Sequence, residues 1–159
     1  MTTQLRNVRS TFTPSAFLTA TDLVPWVPLS AGKSFKPLRF LDGNRGFVEL
    51  LRLEPGELIP RHRHTGEVHA YNVQGWRELD SGERVGPGAY VYEPVGNVDA
   101  WRVIGDEPLV VLVVVHGAVE YLDGAGKVTQ RWDALRLRDA YERHCAASGV
   151  PARDLSRVA

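Results

Sequence analysis

The pattern of apolar and polar positions predicts many short strands between about residues 40 and 132. The segments "GFVELLRL" (46 to 53) and "LVVLVVV" (109 to 115) are rich in β-branched and other apolar residues, which is typical of strands. Between such segments lie glycine- and proline-containing turns such as "EPGE", "DSGE" and "DGAG". Short strands at this spacing favour an antiparallel sandwich or barrel over alternating strands and helices.

The pattern becomes helical near the C-terminus. In "DALRLRDAYERHCAASG", Leu137, Tyr141 and Cys145 recur every fourth residue, which indicates one apolar stripe along a helix. Asp133 is a suitable N-cap, and Gly149 lies just past the end of the stripe. The sequence therefore predicts a C-terminal helix from Asp133 to Gly149, lying on the outside of the sheets.

The first 39 residues are predicted to form an N-terminal arm and the first strands. Pro14, Pro25 and Pro28 interrupt any regular element there. The segment "ATDLVPWVPL" indicates an extended arm, anchored by Leu23, Trp26 and Leu29, that packs on its own barrel or on a neighbouring subunit. With the barrel over residues 40–132 and the helix, the arm completes one domain, the simplest organisation for 159 residues.

Composition narrows the classes of protein. The chain is 43% hydrophobic and 24% charged, with 19 basic and 19 acidic residues, as in an ordinary soluble protein. A neutral balance offers no basic surface for nucleic acid, and the longest apolar run is far too short to span a membrane. A single cysteine and no visible apolar leader fit a reducing cytoplasm. We therefore expect a cytoplasmic protein without nucleic-acid or membrane partners.

The residues that could bind a metal are concentrated in "PRHRHTGEVHAYNVQG" (60 to 75), which contains three of the five histidines. His62 and His64 are two residues apart, so on a strand both side chains point to the same face. Two neighbouring imidazoles that face into a barrel can hold a divalent metal. A pair of surface histidines on a basic strand edge is the alternative interpretation.

The spacing around these histidines extends to a second segment. The relevant positions are Gly56, His62, His64 and Gly75, followed by Gly88, Pro94, Gly96 and Asp99. This resembles the two motifs of the cupin superfamily, G(X)5HXH(X)3–4E(X)6G and G(X)5PXG(X)2H(X)3N. Within the cupins, the sequence is similar to the single-domain ChrR-like group that includes acetylacetone-cleaving and 2,4'-dihydroxyacetophenone dioxygenases. The resemblance implies an all-β, double-stranded β-helix (jelly-roll barrel) with one metal, usually non-haem Fe(II), in its mouth.

One departure from the cupin motifs concerns the third ligand. Asp99 stands where the second motif has a histidine, so the resemblance implies a site of His62, His64 and Asp99. Two histidines and one carboxylate with open positions are typical of non-haem Fe(II) oxygenases, although Zn(II), Mn(II) or Ni(II) would also fit. The alternative is that Asp99 does not ligate and only caps the loop that precedes it.

A second departure concerns the first motif's glutamate, which is absent from its expected position. His69 stands four residues after His64 and is expected to act as a fourth ligand or as a catalytic residue facing the substrate. Glu93 matches a glutamate near the metal of diketone-cleaving relatives. We expect Glu93 to hydrogen-bond a ligating imidazole or a metal-bound water and to assist catalysis.

Three functions follow from the resemblance, in order of preference. The first is a dioxygenase that uses O2 to cleave a C–C bond in a small β-diketone or hydroxyketone. The second is a Zn(II) or Mn(II) hydrolase, isomerase or lyase that uses no O2. The third is a non-catalytic ChrR-like sensor of metal or ligand. Cupins of this size commonly associate through strand exchange, so a homodimer or homotetramer is expected.

Overall fold

A computed structural model describes residues 19–156, in which two six-stranded antiparallel sheets are accompanied by one C-terminal α-helix. In spatial order, the first sheet contains β1 (Val27–Ser30), β2 (Lys33–Phe40), β3 (Gly46–Leu53), β10 (Leu109–His116), β5 (Val68–Gln74) and β8 (Tyr90–Glu93). The second contains β12 (Val128–Trp132), β11 (Val119–Leu122), β4 (Leu58–His64), β9 (Val98–Ile104), β6 (Trp76–Leu79) and β7 (Arg84–Val85). Two short 3-10 helices span Thr21–Leu23 and Asp42–Asn44.

The chain crosses repeatedly from one sheet to the other. Strands β3, β5, β8 and β10 lie in the first sheet, whereas β4, β6, β9 and β11 lie in the second. This alternation winds the chain into a jelly roll whose two sheets face each other across a shared interior. The predicted all-β, cupin-type barrel is confirmed.

The C-terminal helix α1 (Ala134–Ser148) has the bounds that its capping residues predict. The Asp133 side chain accepts a hydrogen bond from the Arg136 backbone N–H at 3.0 Å, and Gly149 ends the helix in a left-handed conformation with φ 66°. The predicted stripe of Leu137, Tyr141 and Cys145 is buried. The helix packs against β1 and β2, so it covers one end of the first sheet.

The described part of the N-terminal arm docks on its own barrel, because β1 pairs with β2. Its anchors differ from those expected: Val24 and Val27 are buried, whereas Leu23 and Leu29 are exposed. Val27 pairs opposite the buried Phe35, whereas Leu29 lies where the β1–β2 register shifts between Pro28 and Ser30. Trp26 is half-buried, and Nζ of Lys36 lies 5.2 Å from its ring centroid. Residues 1–18, including the predicted interruption at Pro14, lie outside the described part of the chain.

Alternation along β4 places the candidate site inside the barrel. His62 and His64 are buried, whereas Arg61 between them is exposed and Arg63 pairs with Glu120 at 2.6 Å on the half-exposed outer face. Within residues 19–156, no helix combines the length and the apolar character that crossing a bilayer requires.

Candidate metal centre

The two histidines of β4 form the fixed part of the site. His62 is 3% exposed and His64 is 5% exposed, and their ring centroids lie 4.8 Å apart at an interplanar angle of 88°. This edge-to-face arrangement follows from their positions two residues apart on one strand. The two imidazoles therefore face one common space within the barrel.

The hydrogen bond of His62 fixes which of its ring nitrogens is available. Nδ1 lies 2.8 Å from the backbone carbonyl oxygen of Pro60. Since a carbonyl only accepts, Nδ1 carries the proton and donates it. Nε2 of the neutral ring then bears a free lone pair, which is the arrangement found in metal-ligating histidines.

His64 contacts a carboxylate and contains one unsatisfied nitrogen. Its Nε2 lies 3.4 Å from Oε2 of Glu93, and its buried Nδ1 has no hydrogen-bond partner among the described residues. Burial, followed by the nearby His62, lowers the pKa of His64 to about 3, so the ring is neutral at neutral pH. Either tautomer leaves a polar group unpaired, and a bound cation would satisfy the ring through one nitrogen.

Glu93, at the end of β8, supplies the carboxylate of the group. Oε1 of Glu93 accepts a hydrogen bond from Nδ2 of Asn97 at 2.8 Å, which orients the carboxylate and leaves Oε2 toward His64. Candidate ligand atoms of His62, His64 and Glu93 all lie within 4.8 Å of one another. This donor set fits a divalent metal bound by two histidines and one carboxylate.

The carboxylate in this candidate group comes from Glu93, whereas Asp99 was expected to supply it. Asp99 pairs opposite His62 in the β4–β9 ladder, but its carboxylate does not belong to the group of converging ligand atoms. Its Oδ1 accepts hydrogen bonds from the backbone N–H groups of Ala100 at 2.8 Å and Asp80 at 3.4 Å. These bonds hold Asp99 against the turn after β6. Glu93, which was expected to hydrogen-bond a ligating imidazole or a metal-bound water, lies among the candidate ligands instead.

The placement of His69 is also a correction. Val68 and Ala70 line the barrel interior, so alternation along β5 puts His69 on the opposite face of the first sheet. The turn between β4 and β5 determines this parity, and the sequence leaves that parity undetermined. His69 contacts Glu67 and His116 there, so it is neither a fourth ligand of the interior site nor a residue of its cavity.

A cavity of about 450 Å³ adjoins the interior site and has a volume suited to a small organic ligand. Its walls include apolar residues from both sheets, among them Leu51, Ile59, Trp101, Val111 and Val113. Two charged residues that the sequence analysis did not single out, Arg77 and Glu49, also line it. Their inward positions carry no distinct sequence signal, because β3 and β6 also contain the charged residues Arg52 and Glu78.

Arg77 places a buried guanidinium on the cavity wall. The side chain is 4% exposed, stacks over the Trp101 ring at 4.8 Å, and has no partner for Nε or Nη2 among the described residues. Burial lowers its pKa, while the carboxylates of Glu93 and Asp99 act in the opposite direction. Since arginine remains protonated in proteins, these unpaired N–H groups offer donors to an anionic ligand.

Glu49 places a carboxyl group on the first sheet, where it also lines the cavity. It is 8% exposed, and its Oε2 is buried without a hydrogen-bond partner among the described residues. Burial raises the pKa of Glu49 to about 8, so the carboxyl group is mostly protonated at neutral pH. The cavity therefore contains a neutral acid, a hydrogen-bond donor, as well as the Arg77 cation.

The raised pKa of Glu49 predicts a specific dependence of stability on pH. The folded state retains a proton that the unfolded chain releases above its ordinary pKa of 4.5, so stability should fall as pH rises from 4.5 to about 8. Glu49→Gln removes the titration and should weaken this fall, by up to roughly 3 kcal/mol at pH 7. Urea unfolding at pH 5 and pH 8 measures the effect.

The matched control for this prediction is Glu107→Gln, which changes an exposed glutamate in a turn. Its unfolding free energy should follow the wild-type pH profile. Equal pH profiles for Glu49→Gln and the wild type would contradict a protonated Glu49.

A jelly-roll barrel with histidines and a carboxylate converging inside it defines a cupin with a candidate metal site. Residues 14–120 match the family model described as the ChrR cupin-like domain, and the chain belongs to that family. None of the curated proteins matches the chain.

Solved structures show the same fold. An RmlC-like cupin protein from Ralstonia eutropha JMP134 is 26% identical with a TM-score of 0.83, covering 91% of this chain and 96% of that one. An acetylacetone dioxygenase from Acinetobacter johnsonii is 15% identical with a TM-score of 0.70, covering 83% and 94%. The anti-sigma factor ChrR from Rhodobacter sphaeroides, solved with SigE, is 21% identical with a TM-score of 0.52, covering 58% and 49%.

Proposed function

We propose that this protein is a metal-dependent cupin oxygenase, a non-haem Fe(II) dioxygenase that cleaves a C–C bond in a small β-diketone or hydroxyketone. The observation that carries the proposal is the convergence of His62, His64 and Glu93 beside a cavity of about 450 Å³. Two histidines and one carboxylate are the ligand set typical of Fe(II) oxygenases. The fold shared with an acetylacetone dioxygenase agrees with this reaction class.

His62, His64 and Glu93 would hold the metal. The Pro60 carbonyl and the Asn97 amide orient two of these side chains, which pre-organises the site before metal binds. Bound Fe(II) would supply Lewis acidity toward the substrate oxygens and electrons for the reaction with O2. The largely apolar walls favour a small substrate with apolar groups.

Arg77 is suited to bind the substrate in its anionic form. A β-diketone or hydroxyketone that loses a proton becomes an enolate, whose negative oxygen needs a buried cationic partner. The Arg77 guanidinium on the cavity wall is such a cation. Its Nε and Nη2 have no competing hydrogen-bond partner in the described chain and can donate to the enolate oxygen. Their interaction would favour the enolate over the neutral ketone and lower the pKa of the bound substrate.

The experiment uses protein without a histidine tag, loaded anaerobically with Fe(II), and an oxygen electrode. The panel contains 2,4-pentanedione, a larger β-diketone and α-hydroxyketones. We expect O2 consumption equal to substrate consumption for at least one member, with the cleavage products identified by mass spectrometry: one carboxylic acid and one α-dicarbonyl compound from a β-diketone, or two carboxylic acids from an α-hydroxyketone. His62→Asn/His64→Asn is the inactive control. Absence of both O2 uptake and ligand binding across the panel would overturn the proposal.

A second candidate is a Zn(II) or Mn(II) enzyme that transfers protons without O2. Glu49 favours it, because a buried neutral carboxylic acid beside the cavity is suited to protonate a carbon or oxygen of a bound substrate. Substrate conversion that persists under anaerobic conditions with Zn(II)-loaded protein would support this candidate. Conversion that requires both Fe(II) and O2 would exclude it.

A further inference from the structure

A second group of potential metal ligands lies on the outer face of the first sheet. We call Glu67, His69 and His116 the outer histidine cluster. Glu67 and His69 are two residues apart, at the start of β5, and Glu67 accepts a backbone hydrogen bond at 3.0 Å from the N–H of His116. The ladder thus brings the end of β10 next to the start of β5 and places all three side chains together.

The candidate ligand atoms of this cluster lie close to one another. One atom from each residue lies within 4.8 Å of the others. Nε2 of His69 is 3.5 Å from Oε1 of Glu67, and the His69 and His116 rings lie 6.2 Å apart at 82°. Tetrahedral Zn(II) with ligand distances of about 2.1 Å needs ligand atoms about 3.4 Å apart. Small rotations of these half-exposed side chains would close the remaining gap.

Two tyrosine hydroxyls form hydrogen bonds with His69 and Glu67 of the cluster. Nδ1 of His69 lies 2.6 Å from the Tyr90 hydroxyl, and the Tyr92 hydroxyl donates to Oε2 of Glu67 at 3.3 Å. When the Tyr90 hydroxyl donates to Nδ1, Nε2 carries the proton that faces Oε1 of Glu67, and a bound cation would take the place of this proton. Metal-ligating histidines and carboxylates are commonly oriented by such outer hydrogen bonds.

The backbone beneath the cluster is closely packed and hydrogen-bonded. A Cβ atom on Gly66 would lie 2.3 Å from the carbonyl oxygen of His116, so the two chain segments pack in direct contact. Gly117 adopts φ 76°, a left-handed conformation that favours glycine, and its N–H donates to the Arg45 carbonyl at 2.6 Å. The cluster therefore stands on a pre-organised support, which reduces the ordering cost of binding an ion.

We propose that Glu67, His69 and His116 bind a second divalent transition-metal ion, of the Zn(II) class, on the outer face of the barrel. Two imidazoles and one carboxylate favour Zn(II), Cu(II) or Ni(II) over Mg(II) or Ca(II). Water completes the coordination, because the side chains of His69 and Glu67 are 37% and 44% exposed. The site is independent of the interior metal and of the proposed oxygenase activity.

The test is Zn(II) titration by calorimetry, with elemental analysis after gel filtration, on tag-free protein stripped of metal. His62→Asn/His64→Asn removes the interior site and should still bind one Zn(II) per chain. Adding His69→Asn/His116→Asn should remove this remaining ion, and Glu67→Gln alone should weaken its binding about tenfold or more. His144→Asn, on the helix, is the control and should leave binding unchanged.

Two results would overturn the outer site. One is the absence of Zn(II) binding to His62→Asn/His64→Asn protein that circular dichroism shows to be folded. The other is a Zn(II) stoichiometry that is unchanged by His69→Asn/His116→Asn. Neither depends on catalysis, so the outer site and the proposed oxygenase activity can fail separately.

Discussion

Replacing His62 with alanine is expected to empty the interior metal site and to abolish O2-dependent turnover. The change removes a proposed metal ligand whose ring is oriented by the 2.8 Å hydrogen bond from Nδ1 to the Pro60 carbonyl. Loss of a second-sphere partner alone typically lowers metal affinity 10- to 100-fold. Loss of this ligand should therefore cost at least about a hundredfold in Fe(II) affinity, and turnover should fall with occupancy.

Metal content is measured by elemental analysis in the His69→Asn/His116→Asn background, so that only the interior site is counted. The matched control is His144→Ala, which removes a half-buried helical histidine. The control should keep the full metal content and activity. A His62→Ala protein that retains one iron per chain with unchanged affinity would contradict the role assigned to His62.

Replacing Arg77 with methionine is expected to change stability and catalysis in opposite directions. The fold keeps a guanidinium that is 4% exposed with two unpaired nitrogen atoms, which is a costly arrangement. An apolar side chain of similar length removes these unsatisfied donors and should raise the free energy of unfolding by about 1–3 kcal/mol. The same change removes the donors to the enolate. The activation free energy should therefore rise by about 2–5 kcal/mol, which lowers kcat/KM roughly 30-fold or more.

Denaturant unfolding and steady-state kinetics together test this prediction. Arg77→Lys keeps the charge without the paired donors and should retain an intermediate kcat/KM. Arg61→Met, on the outer face of β4, should change neither quantity appreciably, because Arg61 is exposed. A destabilised Arg77→Met protein with full activity would show that Arg77 is structural rather than substrate-binding.

The sequence was sufficient to predict the barrel, the C-terminal helix and the inward pair of histidines. The helix and the common face of His62 and His64 follow from local periodicity and capping residues. The periodicity of the strands left a sandwich or a barrel open, and the resemblance to the cupin motifs implied the barrel and the inward direction of the histidines. The spacing of the second motif also placed Asp99 near the histidines, and in the structure Asp99 pairs opposite His62 in the β4–β9 ladder.

The third member of the candidate ligand group, Glu93, could not be predicted in the same way. Motif spacing places Asp99 on the correct strand, but the Ala100 and Asp80 amides determine where its carboxylate points. Glu93 reaches the histidines from β8 in the opposite sheet, and this approach depends on how the two sheets pack. The parity of His69 likewise depends on the turn after β4, where a change of one residue exchanges the inner and outer faces.

The two charged residues of the cavity, Arg77 and Glu49, could not be predicted from the sequence either. Arg77 and Glu49 lie in strand segments that contain charged residues on both sides of the chain, so composition does not distinguish inward from outward charges. Their importance appears only when burial and missing hydrogen-bond partners are known together.

X-ray diffraction at the iron absorption edge, on crystals of the Fe(II)-loaded protein, tests the central claim most directly. We predict an anomalous peak inside the barrel, with ligand distances of about 2.0–2.2 Å to one atom each of His62, His64 and Glu93. Asp99 should keep its hydrogen bonds to the backbone in that crystal. The absence of an interior peak, or a peak bound by Asp99 and not by Glu93, would contradict the assignment of the metal centre.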